Sequence, residues 1–207
     1  VYQLKFYIRE ILAETPRRMI KAKSKINHKP VALVTGATGF IGSHLVRKLH
    51  DEGYDVRVYS RQAWCRNTRL EVDPNDWISA GLSDEDALAS ACEGVDVVFH
   101  TASIAHSLAD AEEIYAVNVL GSRSVYAAAV DSEVRAFVFF SSILAADPEQ
   151  SDYAKSKWSA EQAFLKAMKL NPSTDVLILR PANVYGAGMR GNIKTFIKLA
   201  KNKLIPA

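Results

Sequence analysis

Tyr153-Ala154-Lys155-Ser156-Lys157 puts a phenol and an amine four residues apart, so on a helix both side chains leave the same face. An ammonium at Lys157 is expected to lower the Tyr153 pKa and let the phenol exchange a proton with a hydroxyl or carbonyl near neutral pH. Tyr-x-x-x-Lys is common on surface helices, and its weight here comes from what precedes it. Ser142 follows the β-rich run Phe137–Ser141, and a hydroxyl there can bond an oxygen that gains charge during a redox step. Earlier in the chain stands Thr35-Gly36-Ala37-Thr38-Gly39-Phe40-Ile41-Gly42, between an apolar run and a helical pattern. Glycines at this spacing allow a tight turn and a close approach to a pyrophosphate, which rests on the N-terminus of the following helix. Ser142, Tyr153 and Lys157 are the catalytic candidates. Gly36, Thr38, Gly39, Phe40, Ile41 and Gly42 are the first candidates to hold a dinucleotide.

The next strand bears on which dinucleotide. Domains that prefer NAD place Asp or Glu about 20 residues beyond the glycines, against the ribose 2′-hydroxyl. Here Val56-Arg57-Val58-Tyr59 runs into Ser60 and Arg61, with Arg66 nearby. A carboxylate would repel a 2′-phosphate, whereas serine and arginine can bind one. NADP(H) is therefore expected ahead of NAD(H). NAD stays open, because an arginine can also stack on adenine.

These residues need elements to position them. From Pro30 onward, β-rich runs at Val31–Thr35, Asp55–Tyr59, Trp77–Ala80, Val95–His100, Phe137–Ser141 and Val176–Leu179 alternate with helical patterns. The helical stretches are Ile41–Glu52, Glu85–Cys92, Ala111–Val130, Lys155–Lys169 and Asn192–Lys201. Near-continuous apolar runs such as Val-Asp-Val-Val-Phe suit parallel strands buried on both faces. The expected fold is α/β, a doubly wound parallel sheet of the Rossmann type with right-handed crossovers. His100 should be a hydrogen-bonded core residue, Trp158 and Phe164 core packing, and Cys92 an inert thiol.

Composition sets outer bounds. The chain has 207 residues, 48% apolar and 24% charged, with a net charge of +3, an ordinary globular balance. Two distant cysteines and five histidines with no H-x-x-x-H pair offer no disulfide framework or metal site. The expected setting is a reducing cytoplasm. Residues 1–29 carry a balance of +6 and the rest −3, which divides the chain into a basic extension, 1–29, and a domain, 30–207. No apolar run reaches the roughly 20 residues of a membrane span. No aromatic-interleaved basic patch points to nucleic acid.

Beyond these residues, the stretch Gly94-Val95-Asp96-Val97-Val98-Phe99-His100-Thr101-Ala102, then Val117-Asn118-Val119 with Gly121, Phe139-Phe140-Ser141-Ser142, and Leu179-Arg180-Pro181-Ala182-Asn183-Val184-Tyr185-Gly186 complete a pattern. With the glycine loop and Tyr153/Lys157, it resembles extended short-chain dehydrogenases/reductases, the NAD-dependent epimerase/dehydratase family that acts on nucleotide sugars. Within that family it is most similar to UDP-glucose 4-epimerase-like and UDP-N-acetylquinovosamine 4-ketoreductase-like enzymes. The resemblance implies that Leu82, Thr101, Ala102, Ser103, Asn118, Pro181, Asn183 and Val184 join Ser60 and Arg61 around the cofactor. It implies a UDP-sugar as substrate, and a homodimer is one assembly open to it. Three departures stand out. Ala80-Gly81-Leu82 lacks the usual Asp of Gly-Asp-Leu, the Ser142–Tyr153 link is short, and the chain ends near the start of the relatives' substrate lobe. The 207 residues are thus expected to bind a dinucleotide but to turn over little sugar. A dinucleotide-binding module without catalysis, acting as sensor or partner subunit, is the alternative.

Overall fold

The computed structural model describes residues 29–65, 70–105, 109–170 and 173–186. Its strands are β1 (Val31–Thr35), β2 (Asp55–Ser60), β3 (Trp77–Ser79), β4 (Val97–His100), β5 (Ala136–Phe140) and β6 (Asp175–Leu179). Its helices are α1 (Phe40–Asp51), α2 (Glu85–Cys92), α3 (Ala111–Tyr115), α4 (Ser122–Asp131) and α5 (Asp152–Leu170). The strands form one sheet in the order β3-β2-β1-β4-β5-β6, and every neighbouring pair is parallel. This is the expected doubly wound architecture, and the winding reverses between β1 and β4.

Alternation along the strands divides the apolar residues between two layers. Ala32, Val34, Val56, Val58, Phe99 and Val138 pack on Leu45, Val46 and Leu49 of α1. Leu33, Tyr59, Val98, Phe137 and Phe139 face the other way, onto Leu88 of α2, Val125 of α4 and Phe164 of α5. Both faces of β4 and β5 are therefore covered, and every residue of those two strands is buried. Asp84 caps α2 by accepting from the Ala87 N–H at 3.0 Å, and Asp110 caps α3 by accepting from the Glu113 N–H at 2.8 Å.

The expected single helix Ala111–Val130 is interrupted. Between α3 and α4 the backbone widens into a π-turn over Ala116–Gly121, a feature often found at functional sites. The other helices agree with expectation to within three residues at either end. The Asn192–Lys201 helix, Arg66 and nearly all of the basic extension lie outside the described residues. Among the described residues, no helix is long and apolar enough to cross a membrane.

Candidate active site

The turn after β1 is built by close backbone contact. Gly36 has φ +69°, and a Cβ there would stand 2.6 Å from the Ala102 nitrogen. A Cβ on Gly42 would stand 2.3 Å from the Gly36 carbonyl oxygen. The Gly39 N–H donates to that same carbonyl at 2.9 Å, and no side chain caps the start of α1. The first-turn N–H groups are thus available to an anion arriving over the glycines. Gly42→Ala should push α1 off the loop, cost about 1–3 kcal/mol as overpacking does, and weaken dinucleotide binding. Thermal unfolding and calorimetry check both effects.

A cleft of about 490 Å³ opens at the reversal between β1 and β4, where doubly wound sheets bind ligands. Gly36, Thr38, Gly39, Ser60, Arg61, Leu82, Thr101, Ala102 and Ser103, the candidates for holding a cofactor, all line it. The Ser60 hydroxyl accepts from the Gln62 N–H at 3.1 Å, and Trp77 Nε1 donates to the Gln62 carbonyl at 2.8 Å. These bonds fix the turn that presents Arg61, which is exposed. Gln62 and Ser124, which no motif in the sequence marks, also line the cleft, as does Gly81. Phe40, Ile41 and Val184 instead pack against the α1 side of the core. Pro181 is buried and its carbonyl accepts from the Ile143 N–H at 3.0 Å. Asn183 is exposed.

Helix α5 supplies Tyr153 and Lys157. Lys157 is 2% exposed and donates from Nζ to the Phe140 carbonyl at 2.8 Å. Its Nζ lies 4.8 Å from the Phe139 ring centroid and 5.9 Å from that of Tyr153. Burial pushes the Lys157 pKa down to about 7, against the pull of the Glu161 carboxylate. The Tyr153 pKa is raised by burial, while hydrogen bonding with Ser142 and Ser103 works the other way. This corrects the expectation of a depressed Tyr153 pKa. The amine is held on the Phe140 carbonyl, and desolvation of the phenol outweighs what the serines offer. Tyr153, Ser142 and Ser103 nonetheless converge, from α5, from the end of β5 and from the loop after β4.

Asn118 sits inside the π-turn, fully buried. Its Oδ1 accepts from the Ser103 hydroxyl at 3.1 Å and from the Ile104 N–H at 2.8 Å. Its Nδ2 donates to the Ile104 carbonyl at 3.0 Å and to the Ser156 hydroxyl at 2.9 Å. The amide is thus fully engaged within the protein. Asn118 positions Ser103 and the Tyr153 turn; it does not line the cleft as expected.

One turn beyond Lys157, Glu161 is 2% exposed. Its carboxylate accepts from the Ser141 hydroxyl and takes both Nε and Nη2 of Arg180. This clasp joins α5 to the ends of β5 and β6, and no spacing in the sequence signals it. Trp158, expected in the core, is 40% exposed, because it lies about 100° around α5 from the buried Lys157, on the side that also bears the exposed Leu165. Phe164 is core as expected, and burial pushes the Cys92 thiol up to about 11, which keeps it unreactive.

A glycine turn against Ala102, a cleft at the winding reversal and a Ser–Tyr–Lys group beside it suit a nicotinamide dinucleotide and a substrate oxygen. The known proteins that this chain matches agree with that fit. It is 34% identical over 182 residues to a ceramide reductase of Caulobacter vibrioides, covering 85% of this chain and 53% of the relative. It is 33% identical over 195 residues to a UDP-glucose 4-epimerase of Vibrio cholerae, covering 84% and 57%. A solved short-chain dehydrogenase/reductase superfamily protein of Agrobacterium tumefaciens with bound NAD aligns with TM-score 0.62 at 28% identity, over 72% of this chain and 48% of that one. The chain spans about half the length of the curated relatives it matches. Residues 32–205 match the sequence pattern of one family throughout, and the chain belongs to it: the NAD-dependent epimerase/dehydratase family.

Proposed function

We propose that this chain carries the catalytic half of an NADP(H)-dependent oxidoreductase or epimerase acting at a secondary alcohol or ketone of a nucleotide sugar, with a UDP-sugar as the foremost candidate, in the cytoplasm. The observation that carries this reading is the convergence of Tyr153, Ser142 and Ser103 beside the dinucleotide cleft. Bound nicotinamide supplies or takes a hydride, and the protein's own residues handle the proton. With its pKa raised, Tyr153 holds its proton at neutral pH and is ready to give it to a carbonyl oxygen. Ser142, fixed at the end of β5 by the Leu144 N–H at 3.2 Å, orients that oxygen. Lys157, one helical turn behind the phenol, has its pKa lowered to about 7 and so carries its charge only in part at neutral pH. The test is incubation with UDP- and dTDP-sugars plus NADPH, read at the nicotinamide absorbance band. Stoichiometric NADPH binding with no turnover, even when the chain is extended by its native continuation, would favour the non-catalytic module instead.

Exposed Ile143 and Leu144, 53% and 40%, directly follow Ser142 and favour a second reading. An apolar wall beside the reacting oxygen suits a ketone carried on a lipid-like body, in keeping with the ceramide reductase relative. A long-chain 3-keto substrate in the same assay separates the two readings. A homodimer is also proposed, through the outward face of α5 that bears Trp158 and Leu165, both exposed.

Cofactor choice rests on Arg61. Its exposed guanidinium, held at the cleft by the Ser60–Gln62 turn, should meet a 2′-phosphate, so NADPH binds more tightly than NADH. Arg61→Ala should narrow the gap by about 1–3 kcal/mol, the range for charge-assisted bonds. Calorimetry giving equal affinities for the unmutated chain refutes the preference.

A further inference from the structure

His100 ends β4 with its ring wholly buried and stacked at 6.0 Å from Phe137 and 5.8 Å from Phe139. Nδ1 lies 2.7 Å from Thr35 Oγ1, and Nε2 lies 2.8 Å from Ser122 Oγ. Ser122 has one proton, and its hydroxyl gives that proton to the Asn118 carbonyl at 2.7 Å. Toward His100 it can only accept, so Nε2 carries the hydrogen. Nδ1 is then the bare nitrogen, and the Thr35 hydroxyl donates to it. The Ala102 N–H closes the series by donating to Thr35 Oγ1 at 3.4 Å. The bonds run in one direction, from Ala102 through Thr35, His100 and Ser122 to Asn118, and each ring nitrogen has one role.

We infer that His100, as a neutral Nε2–H imidazole, is a positioning residue that links the strand feeding the phosphate loop to the π-turn carrying Asn118, and so sets Ser103 beside Tyr153. Thr35 is the residue before Gly36, and Asn118 holds Ser103 by its amide, so the two ends of the series are the two halves of the site. A charged ring would need to donate from both nitrogens and would leave the Thr35 hydroxyl without its acceptor. Burial and the nearby Lys157 ammonium push the His100 pKa down to about 3, in keeping with a ring that stays neutral. The inference holds whichever substrate is turned over.

Long-range ¹H–¹⁵N NMR of the whole chain tests it, with the His100 imidazole assigned through its backbone. The expected result is a bare Nδ1 and a protonated Nε2, unchanged between about pH 5 and 8, where an ordinary histidine titrates. His100→Phe keeps the ring stack and loses both hydrogen bonds. It should shift the Asn118 side-chain amide signals and weaken NADPH binding roughly tenfold, about the share of one buried hydrogen bond. His100→Gln, which retains a donor and an acceptor, should recover part of both. An Nδ1–H tautomer, a ring that protonates within that range, or Asn118 signals unmoved in His100→Phe would overturn the inference. If neither variant folds, the tautomer and its pH response in the unmutated chain decide alone.

Discussion

Tyr153→Phe should leave NADPH affinity close to that of the unmutated chain while turnover falls by roughly 10²–10⁴, the usual contribution of acid–base catalysis. The phenyl ring keeps its place at the start of α5, and Lys157 stays bonded to the Phe140 carbonyl, which does not involve the phenol. What is removed is the hydroxyl that hydrogen-bonds with both Ser142 and Ser103. Because burial holds the Tyr153 proton on, the variant lacks the acid that a carbonyl oxygen needs in reduction and, by microscopic reversibility, the base needed in oxidation. The measurement is steady-state turnover on the chain extended by its native C-terminal continuation, beside calorimetry on the same protein. Full turnover in the variant would remove Tyr153 from its proposed role.

Glu161→Gln should lower stability markedly at a point away from the cleft. A buried carboxylate that loses its charge leaves the Arg180 guanidinium without its counter-ion and weakens the bond from Ser141. Breaking a fully buried pair costs about 3–5 kcal/mol. Arg180 is 45% exposed along its side chain, so water recovers part of that, and about 2–3 kcal/mol is expected. Urea unfolding gives the number. A second consequence reaches the site: the Glu161 charge holds the Lys157 pKa up against burial. Without it the amine should lose its proton at a pH below about 7, and NMR titration of the Lys157 side chain should show the downward move. A Lys157 pKa that stays put or rises would mean that the clasp is structural only.

Apolar patterning made the six strands and their parallel arrangement legible. β4 and β5 read as unbroken apolar runs because both faces are covered, and α2 begins at Glu85 as its Asp84 cap requires. The phosphate loop was legible for a similar reason, since backbone contact leaves no choice but glycine at 36 and 42. The π-turn was not. Ala116–Gly121 contains nothing that forbids an ordinary helix, and the distortion accompanies bonds from Asn118 to Ile104, which only the fold brings near. The Glu161–Arg180 clasp was hidden likewise, because it exists only once β6 has returned beside β5. The Tyr153 and Lys157 pKa values escaped because spacing reports which charges are neighbours, while desolvation depends on everything packed around them. Trp158 was misjudged because α5 carries apolar residues on both its inner and outer faces, and composition alone does not say which face is inside.

The joint between β1 and β4 also bears on how the chain comes to have a site at all. Val31 donates to Asp96 and Thr35 meets His100 across 65 residues of sequence, whereas the pairings within β1–β2–β3 and within β4–β5–β6 close shorter loops. Longer closures cost more entropy, so this joint carries the largest closure cost among the strand pairings of the sheet. Before it forms, one half holds the glycine turn and Arg61, and the other holds Ser103, Ser142 and Tyr153. A dinucleotide long enough to touch both halves recognises only the joined chain, and by mass action its binding energy adds to the stability of that joint. Cofactor supply would then bear on how firmly the two halves stay joined.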